Sequence, residues 1–301
     1  MTKSSNKKFI DLHFHSVYSD GSLTIPELIN QLKKYDLKAV SLTDHNTVAG
    51  IKEFLKKGEK AGIKIIPGIE LYTHYKKFEL HILGYNFDYN YPPLQKKLAI
   101  LATQRIIDIK KSLKILKKQG FKINEKHLFN GPSKYIGFGG IVKELYQFPE
   151  NVKKLQKEMK TTIPHFFSII NKYFSKKRPA YLPETSIPIK QAVALIHQAG
   201  GLAILAHPAQ QLGRKSKIVE ELKKIGLDGL ELLSPYHRWH DIEYWQRIAN
   251  SLQLIVTGGS DFHSTIFDPK QALIKEQWQY HKVPYLIYEK LKPSLNKYKK
   301  K

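Results

Sequence analysis

Short apolar runs recur along this chain, and most of them end in a residue able to bind a metal ion. Phe9-Ile10-Asp11-Leu12 leads into His13-x-His15 and Asp20, and Ala39-Val40-Ser41-Leu42 into Asp44-His45. Glu70 closes Ile65-Ile66-Pro67-Gly68-Ile69, and His81 sits inside Leu80-His81-Ile82-Leu83. His207 follows Leu202-Ala203-Ile204-Leu205, and Asp261-x-His263 follows Leu254-Ile255-Val256-Thr257-Gly258-Gly259. In a barrel or open sheet of parallel strands, the strand ends are where active sites are built. Six histidines and three carboxylates arriving together are too many for one cation, so the pattern implies two or three.

Between these runs lie helix-period segments, the alternation of α/β architecture. Seven strands are expected, at about 9–13, 38–43, 64–70, 79–85, 201–206, 228–233 and 253–257. Thr24 can cap a helix with Pro26 and Glu27 in its first turn and Ile25, Leu28, Ile29 and Leu32 on its apolar face. A second helix runs from about Val48 to Gly62, another ends at Gly200-Gly201, and 238–251 reads as helix. From 93 to 178 no convincing strand occurs. A long amphipathic helix, Leu94 to Gln119, ends at Gly120 and is followed by shorter helical pieces and the turn Gly137-Phe138-Gly139-Gly140. The expectation is one barrel-like core, 1–92 with 179–301, carrying an inserted helical subdomain at 93–178.

With 301 residues the chain can bury a large core. It has no cysteine, which removes disulfides and thiolate metal sites. The start, Met1 to Lys8, has no apolar segment behind its charges, and no run reaches the roughly 20 apolar residues of a membrane span. A cytoplasmic protein with no membrane contact is expected, and nothing points to a protein partner. The net charge of +24 invites a polyanion-binding reading. However, 45 of the 50 basic residues are lysine, and arginine is the side chain suited to bidentate phosphate recognition. A lysine-coated surface explains the charge equally well. The tail Lys297-Tyr298-Lys299-Lys300-Lys301 is expected to be solvated.

The chemistry follows from spacing. Residues two apart on a strand point the same way, so His13 and His15 can grip one ion from one face. His-x-His alone is a weak signal; Asp20 after it and the repeat in character at Asp261-x-His263 make it strong. Glu70 is a carboxylate of the kind that bridges two cations. Three divalent ions (+6) against Asp20, Glu70 and Asp261 (−3) leave +3, which a hydroxide and a phosphate dianion would balance. Two metals sharing a water lower its pKa and hold a nucleophile in line with phosphorus. A mixed imidazole and carboxylate set suits Mn, Fe or Zn.

Asp11-Leu12-His13-Phe14-His15-Ser16 through Ser19-Asp20-Gly21 resembles the first motif of the PHP (polymerase and histidinol phosphatase) metallo-phosphoesterases. Thr43-Asp44-His45-Asn46-Thr47, Pro67-Gly68-Ile69-Glu70, Ala206-His207-Pro208-Ala209 and Gly258-Gly259-Ser260-Asp261-Phe262-His263 resemble the motifs that follow. The resemblance implies a distorted seven-stranded (β/α) barrel and a trinuclear centre, with Mn the first candidate. One ion would be held by His13, His15, Glu70 and Asp261. A second would be held by Asp20, His45 and His263, and a third by Glu70, His81 and His207. The insertion, with Arg178-Pro179-Ala180-Tyr181-Leu182-Pro183 and Ser234-Pro235-Tyr236-His237, is similar to one branch of the family. Members of that branch dephosphorylate nucleoside 3′,5′-bisphosphates and degrade 5′-phosphorylated RNA or short oligonucleotides. That implies a nucleotide or short RNA substrate lying between the metals and the insertion.

The chain departs from the branch pattern away from the ligands. Gly-Arg-Pro-His in the insertion becomes Gly137-Phe138-Gly139-Gly140, an Arg after Ala-His-Pro-Ala becomes Gln210-Gln211, and the Asp after the second-motif His becomes Asn46. Arg214 with Lys215, or Arg178, is the candidate replacement for the substrate-binding cation, and Phe138 could stack on a base. His237, just past the sixth strand, is the candidate proton donor to the leaving group. Asp44 is expected to orient its neighbours. His74, His127, His165, His197, His240 and His281 are expected to be ordinary histidines. The expected function is a metal-dependent phosphatase or exonuclease. The alternatives are a phosphatase of a small phosphomonoester such as histidinol phosphate, an amidohydrolase-type barrel, and a non-catalytic basic nucleic-acid-binding module.

Overall fold

The structure is a computed structural model that describes residues 8–131, 135–263 and 277–299. Met1 to Lys7 and the Lys300-Lys301 end of the basic tail lie outside the described residues. The chain opens with β1 (Phe9–Phe14), α1 (Ile25–Lys34), β2 (Leu37–Leu42), α2 (Ile51–Lys60), β3 (Lys64–Ile65), β4 (Gly68–Tyr75) and β5 (Phe78–Tyr85). Helices α3 (Pro92–Lys118), α4 (Glu125–Phe129), α5 (Phe138–Tyr146), α6 (Pro149–Met159) and α7 (Phe166–Ile169) follow, and α7 runs into a π-turn at Ile170–Phe174. The chain returns through β6 (Ile187–Pro188), α8 (Ile189–Gln198), β7 (Leu202–Leu205), α9 (Pro208–Leu212) and α10 (Ser216–Ile225). It closes with β8 (Gly229–Leu233), α11 (Trp239–Ser251), β9 (Ile255–Gly258), β10 (Val283–Pro284) and α12 (Leu286–Leu291).

Local sequence explains the elements the pattern predicted. Thr24 and Glu27 form a capping box at the start of α1, with Pro26 in the first turn. Gly62 and Gly200, both at positive φ, end the segments that follow α2 and α8. In α3 the buried residues Leu94, Leu98, Leu101, Arg105, Ile109, Leu113 and Leu116 recur every three or four positions, the stripe of an amphipathic helix.

The strands form two sheets, ordered β10-β1-β2-β3 and β6-β4-β5-β7-β8-β9. Most neighbours are parallel, but β5 runs antiparallel to both β4 and β7, and β10 antiparallel to β1. The expected 64–70 strand is two strands, β3 and β4, and Glu70 lies inside β4 rather than closing a run. Tyr75 pairs with Phe78, so β4 and β5 form a hairpin closed by Lys76-Lys77, with Lys76 at φ 54°. Two-residue hairpin turns usually announce themselves by Asn-Gly or Asp-Gly; Lys-Lys gives no such signal. Two isolated parallel bridges, Phe14 with Phe262 and His45 with Glu70, tie the first sheet to the second.

No strand occurs among the described residues between β5 and β6. The helices there share an apolar cluster that includes Ile109, Leu113, Leu145, Leu155 and Phe174. Helix α3 serves two cores, because Leu94, Leu98 and Leu101 pack with Ile69, Leu71 and Leu80 from the hairpin. Arg105, 1% exposed, crosses between them. It donates to the carbonyls of Ile136 (2.9 Å) and Pro183 (2.7 Å), and its guanidinium lies 4.8 Å from the Phe138 ring centroid. Phe138 also packs edge-on to Phe174 at 5.7 Å, so it is a packing residue rather than a platform for a base.

Asp228 joins the C-terminal segment to the second sheet. Its carboxylate accepts from His197 Nε2 (2.8 Å), Ala203 N (2.9 Å), Lys297 Nζ (2.8 Å) and the Tyr298 hydroxyl (2.9 Å). Burial pushes this carboxyl up, but His197, the Ala203 amide and Lys297 together hold it below its ordinary range. A carboxylate with a depressed folded-state pKa stabilises above its unfolded value of about 3.9 and loses that contribution as pH falls through the folded value. Asp228→Asn should therefore cost about 1–3 kcal/mol at neutral pH. Urea unfolding should show the gap to wild type closing as pH drops below about 4.

Candidate metal centre

Nine residues predicted from sequence converge on one buried cluster, and Glu70 is its centre. Glu70 Oε2 lies 3.0 Å from His13 Nε2, 3.2 Å from His15 Nε2 and 3.2 Å from His45 Nδ1. Its other oxygen, Oε1, lies 2.9 Å from His81 Nδ1 and 3.4 Å from His207 Nε2. Asp261 Oδ1 is 3.0 Å from both His13 Nε2 and His15 Nε2. Asp20 stands 3.4 Å from His263 Nε2 and 3.8 Å from His15 Nδ1 and His45 Nε2. The six imidazoles pack on one another, with His15 stacked on His263 at 4.0 Å and on His45 at 4.4 Å.

Backbone geometry aims these groups. Cross-strand pairing sets Glu70 opposite Leu83 and Tyr72 opposite His81, so Glu70, Tyr72 and His81 share one face of the hairpin. The other face carries Ile69, Leu71, Leu80 and Ile82 into the core. His207 and Asp261 adopt positive φ, 25° and 49°, an uncommon backbone for residues with a Cβ. Hydrogen bonds hold both there: His207 N to Glu231 Oε2 at 3.0 Å, and Asp261 N to the His13 carbonyl at 2.7 Å. Gly259 is required because a Cβ would lie 2.3 Å from His13 Cβ.

The cluster meets the demands of cation binding. Ligands at about 2.1 Å from one ion lie about 3 Å apart when mutually perpendicular, and that is the spacing around Glu70 and Asp261. Donor atoms group as His13, His15, Glu70 and Asp261; as His15, Asp20, His45 and His263; as His45, Glu70 and His81; and as His13, His207 and Glu231. The buried Nδ1 atoms of His15 and His207 have no hydrogen-bond partner. Burial pushes the Asp20, Glu70 and Asp261 carboxyls up, yet the surrounding histidines pull all three below their ordinary range. Burial disfavours protonation of His15, but Asp261 and Glu70 raise it to about 10. His81, likewise opposed by burial, is raised to about 10 by Glu70 and Glu184. At His45 burial prevails and lowers the value to about 3. Ionised carboxylates drawing protons onto buried imidazoles mark a pocket that calls for positive charge.

Three buried carboxylates orient the ligands. Asp44 accepts from Ser16 N (2.8 Å), Ser16 Oγ (2.7 Å) and Ser19 Oγ (2.6 Å), fixing the loop that carries Asp20, as expected of it. Asp11 accepts from Ser260 N (2.9 Å), Ser260 Oγ (2.5 Å), His13 N (3.1 Å) and the Trp278 indole. Glu231 was not foreseen. Its Oε1 lies 2.9 Å from His13 Nδ1, and it is fully buried. A carboxylate in the middle of Gly229-Leu230-Glu231-Leu232-Leu233 was the available signal.

A cavity of about 450 Å³ opens over the cluster, lined by Asp20, His45, Tyr72, His81, Gly139, Phe166, Phe167, Glu184, His207, Gln210, Tyr236, Asp261, His263 and Gln277. A cleft of about 640 Å³ on the far side of the Asp20–Gly139 contact holds only Asp20 of the nine donors. Gly139 packs so closely that a Cβ would lie 2.2 Å from the Asp20 carbonyl oxygen, which accounts for the glycine-rich turn. The other departures also have physical reasons. Asn46 donates to the Thr185 carbonyl (2.8 Å) and accepts from Tyr72 N (3.2 Å), whereas an ionised Asp could only accept. Gln210, which directly follows Ala206-His207-Pro208-Ala209, lines the cavity, and Gln211 beside it accepts from His81 N (3.1 Å).

Three expected substrate-side residues are displaced. His237 has both ring nitrogens engaged, Nδ1 with the Leu232 carbonyl (2.8 Å) and Nε2 with Ala209 N (3.1 Å). It braces α9 against β8 and is not placed to donate a proton; its neighbour Tyr236 lines the cavity instead. Arg178 lies in a separate cleft with Lys154, Glu158 and Lys172. Arg214 is exposed, over the Tyr244 ring at 5.4 Å. His74, His127, His165, His197, His240 and His281 stay outside the donor groups.

Residues 11–225 match the PHP domain family. This chain belongs to that family. It is 29% identical over 264 residues to a 5′-3′ exoribonuclease of Haemophilus influenzae, covering 85% of this chain and 90% of that one. Its identity to a 3′,5′-nucleoside bisphosphate phosphatase of Chromobacterium violaceum is 27% over 259 residues, covering 85% and 87%. A structure from Bifidobacterium adolescentis, described as a metal-dependent phosphoesterase, superposes with a TM-score of 0.72 at 25% identity, covering 86% of this chain and 88% of that one. The PHP chain is thus a metal-dependent hydrolase. No described helix is long and apolar enough to cross a membrane.

Groups that orient a metal ligand are typically worth 10–100-fold in metal affinity. Glu231→Gln should weaken metal binding by about that factor while the circular dichroism spectrum is retained. Equilibrium metal titration followed by elemental analysis checks this, and unchanged affinity would show that Glu231 does not orient His13.

Proposed function

We propose that this PHP protein is a trinuclear, manganese-dependent phosphoesterase acting on terminal phosphates of nucleotides or of short 5′-phosphorylated RNA. The observation that carries the reading is the convergence of five histidines on the two oxygens of Glu70, with Asp261, Asp20 and His263 packed beside them. One ion would be held by His13, His15, Glu70 and Asp261, a second by Asp20, His45 and His263, and a third by Glu70, His81 and His207. The similarity to the exoribonuclease and the bisphosphate phosphatase supports the substrate class. Two architectural proposals accompany it: that the two bridged sheets act as the distorted seven-stranded (β/α) barrel of the family, and that 93–178 is an inserted helical subdomain roofing the site.

When bound, the ions supply Lewis acidity toward the phosphate and bring a water at the site into its working pKa range. The chain's own residues do the rest. Glu231 accepts a hydrogen bond from His13 Nδ1–H, which leaves Nε2 as the inward lone pair. The Asp261 carbonyl does the same for His263 Nδ1 at 2.8 Å. Asp11 and Asp44 lock the two loops that carry Asp261 and Asp20. Gly139, Glu184 and Tyr236 narrow the approach. In the net reaction water adds to phosphorus and one ester P–O bond breaks: a monoester gives inorganic phosphate and the free hydroxyl compound, and an RNA phosphodiester gives a nucleoside monophosphate and the shortened chain.

With Mn²⁺, the protein should release phosphate from 3′-AMP, 5′-AMP or adenosine 3′,5′-bisphosphate, or shorten a 5′-phosphorylated RNA oligonucleotide. Chelation should abolish turnover and Mn²⁺ restore it. Asp261→Asn should fall by more than the roughly 10–100-fold cost of disturbing a group that only orients a ligand. Full activity in that variant, or no turnover of any of these by metal-loaded wild type, would overturn the proposal.

A further inference from the structure

The cavity over the metal cluster has a wall that its floor does not explain. Phe166 and Phe167, from α7, both line it, and Phe167 remains 55% exposed. Their rings pack edge-on, 5.2 Å apart. A large aromatic side chain left open beside a polar cluster gains when a flat apolar group covers it. Such a face accepts any ring and so favours planar groups over alkyl ones.

Glu184 stands in the same wall. Its carboxylate Oε2 lies 3.4 Å from His81 Nε2, and its side chain is 31% exposed. Its charge disfavours a second anion next to the ion-binding end of the cavity. No lysine or arginine is among the described residues that line the cavity. Arg105, buried nearby in the roof, is committed to the Ile136 and Pro183 carbonyls. A volume of about 450 Å³ falls within the range of small-ligand sites.

We propose that Phe167 and Glu184 determine specificity: the site takes a phosphate monoester whose ester group carries a planar aromatic ring, such as a nucleobase, and disfavours a second phosphate placed on the His81 side. This rests on the phosphoesterase reading and narrows it. Phe167, supported by Phe166, supplies the stacking face. Glu184 supplies the discrimination against an additional anion on the His81 side.

The test compares metal-loaded wild type, Phe167→Ala and Glu184→Gln, each checked for fold by circular dichroism. Steady-state kcat/KM is measured for 3′-AMP, 5′-AMP, adenosine 3′,5′-bisphosphate and glycerol 2-phosphate, and calorimetry follows the binding of adenosine itself. Wild type should favour an AMP isomer over the bisphosphate and over glycerol 2-phosphate, each by about tenfold. Glu184→Gln should shift the bisphosphate-to-AMP ratio about tenfold toward the bisphosphate. Phe167→Ala should lower kcat/KM for AMP about tenfold more than for glycerol 2-phosphate and should lose adenosine binding. Unchanged ratios in both variants, or a wild type that prefers the bisphosphate, would overturn the proposal. Silence toward every ester would overturn the phosphoesterase reading instead. Adenosine binding lost in Phe167→Ala would then still support the aromatic subsite, and its absence in wild type would overturn it.

Discussion

A fully buried, ionised carboxylate is among the most expensive groups a protein can hold, and Glu70 is one. It is tolerable because five imidazoles surround it, three on one oxygen and two on the other. Those imidazoles come from β1 and the residue after it, from within β5, and from the segments after β2 and β7, so the same contacts that neutralise Glu70 also join the two sheets. The bridge between His45 and Glu70 makes the dependence explicit, with Asn46 N donating to the Glu70 carbonyl at 2.8 Å. The hairpin of β4 and β5 exists in register because Glu70 and His81 must share a face. Core packing on its other side, through Leu71, Leu80 and Ile82, fixes that register, since a one-residue slip would turn the carboxylate into the apolar cluster.

Around this centre the chain places three further buried carboxylates that are not among the nine expected donors. Asp11, Asp44 and Glu231 each bind groups from distant segments: the 260 loop, the 16–20 loop, and His13 with His207. Their work is positional. A ligand set built on loops at strand ends is only as exact as the loops, and loops carry few hydrogen bonds of their own. The positive φ at His207 and Asp261 persists because these bonds over-determine the backbone there.

What could be read from the sequence is what depends on neighbours along the chain. The His13-x-His15 pair follows from strand periodicity, Asp261-x-His263 from its place just past an apolar run, and α1 from its capping box. Residues whose roles depend on a partner far away were illegible or misplaced. Glu231 meets His13 across 218 positions, and only its odd polarity inside an apolar strand hinted at it. His237 turns away from the cavity that its neighbour Tyr236 lines, because the Ser234-Pro235 turn sets side-chain directions in a manner no periodicity encodes. Arg178 and Arg214 were judged by chemistry alone; their positions in a remote cleft and over Tyr244 are set by helices whose packing the sequence does not announce. The Lys76-Lys77 turn hid a hairpin, and with it the antiparallel course of β5.

The departures from the resembling branch share one location. Asn46, Gln210, Gln211 and the Gly137–Gly140 turn all stand in the wall or its supports, while the donors beneath are intact. The asymmetry has an energetic reason. Removing any donor at the floor leaves an unpaired buried charge, which costs about 3–5 kcal/mol, a large part of a domain's total stability. In the wall, side chains such as Phe167 and Glu184 are partly exposed, and surface exchanges away from buried networks usually stay within about 0.5 kcal/mol. Asn46 shows the intermediate case: buried, it makes a hydrogen bond that an ionised Asp could not, so the change required a matching partner in the Thr185 carbonyl. On the proposed reading, chemistry is bound to the floor by electrostatics, and substrate choice lies in the wall, where side chains can change without unfolding the protein.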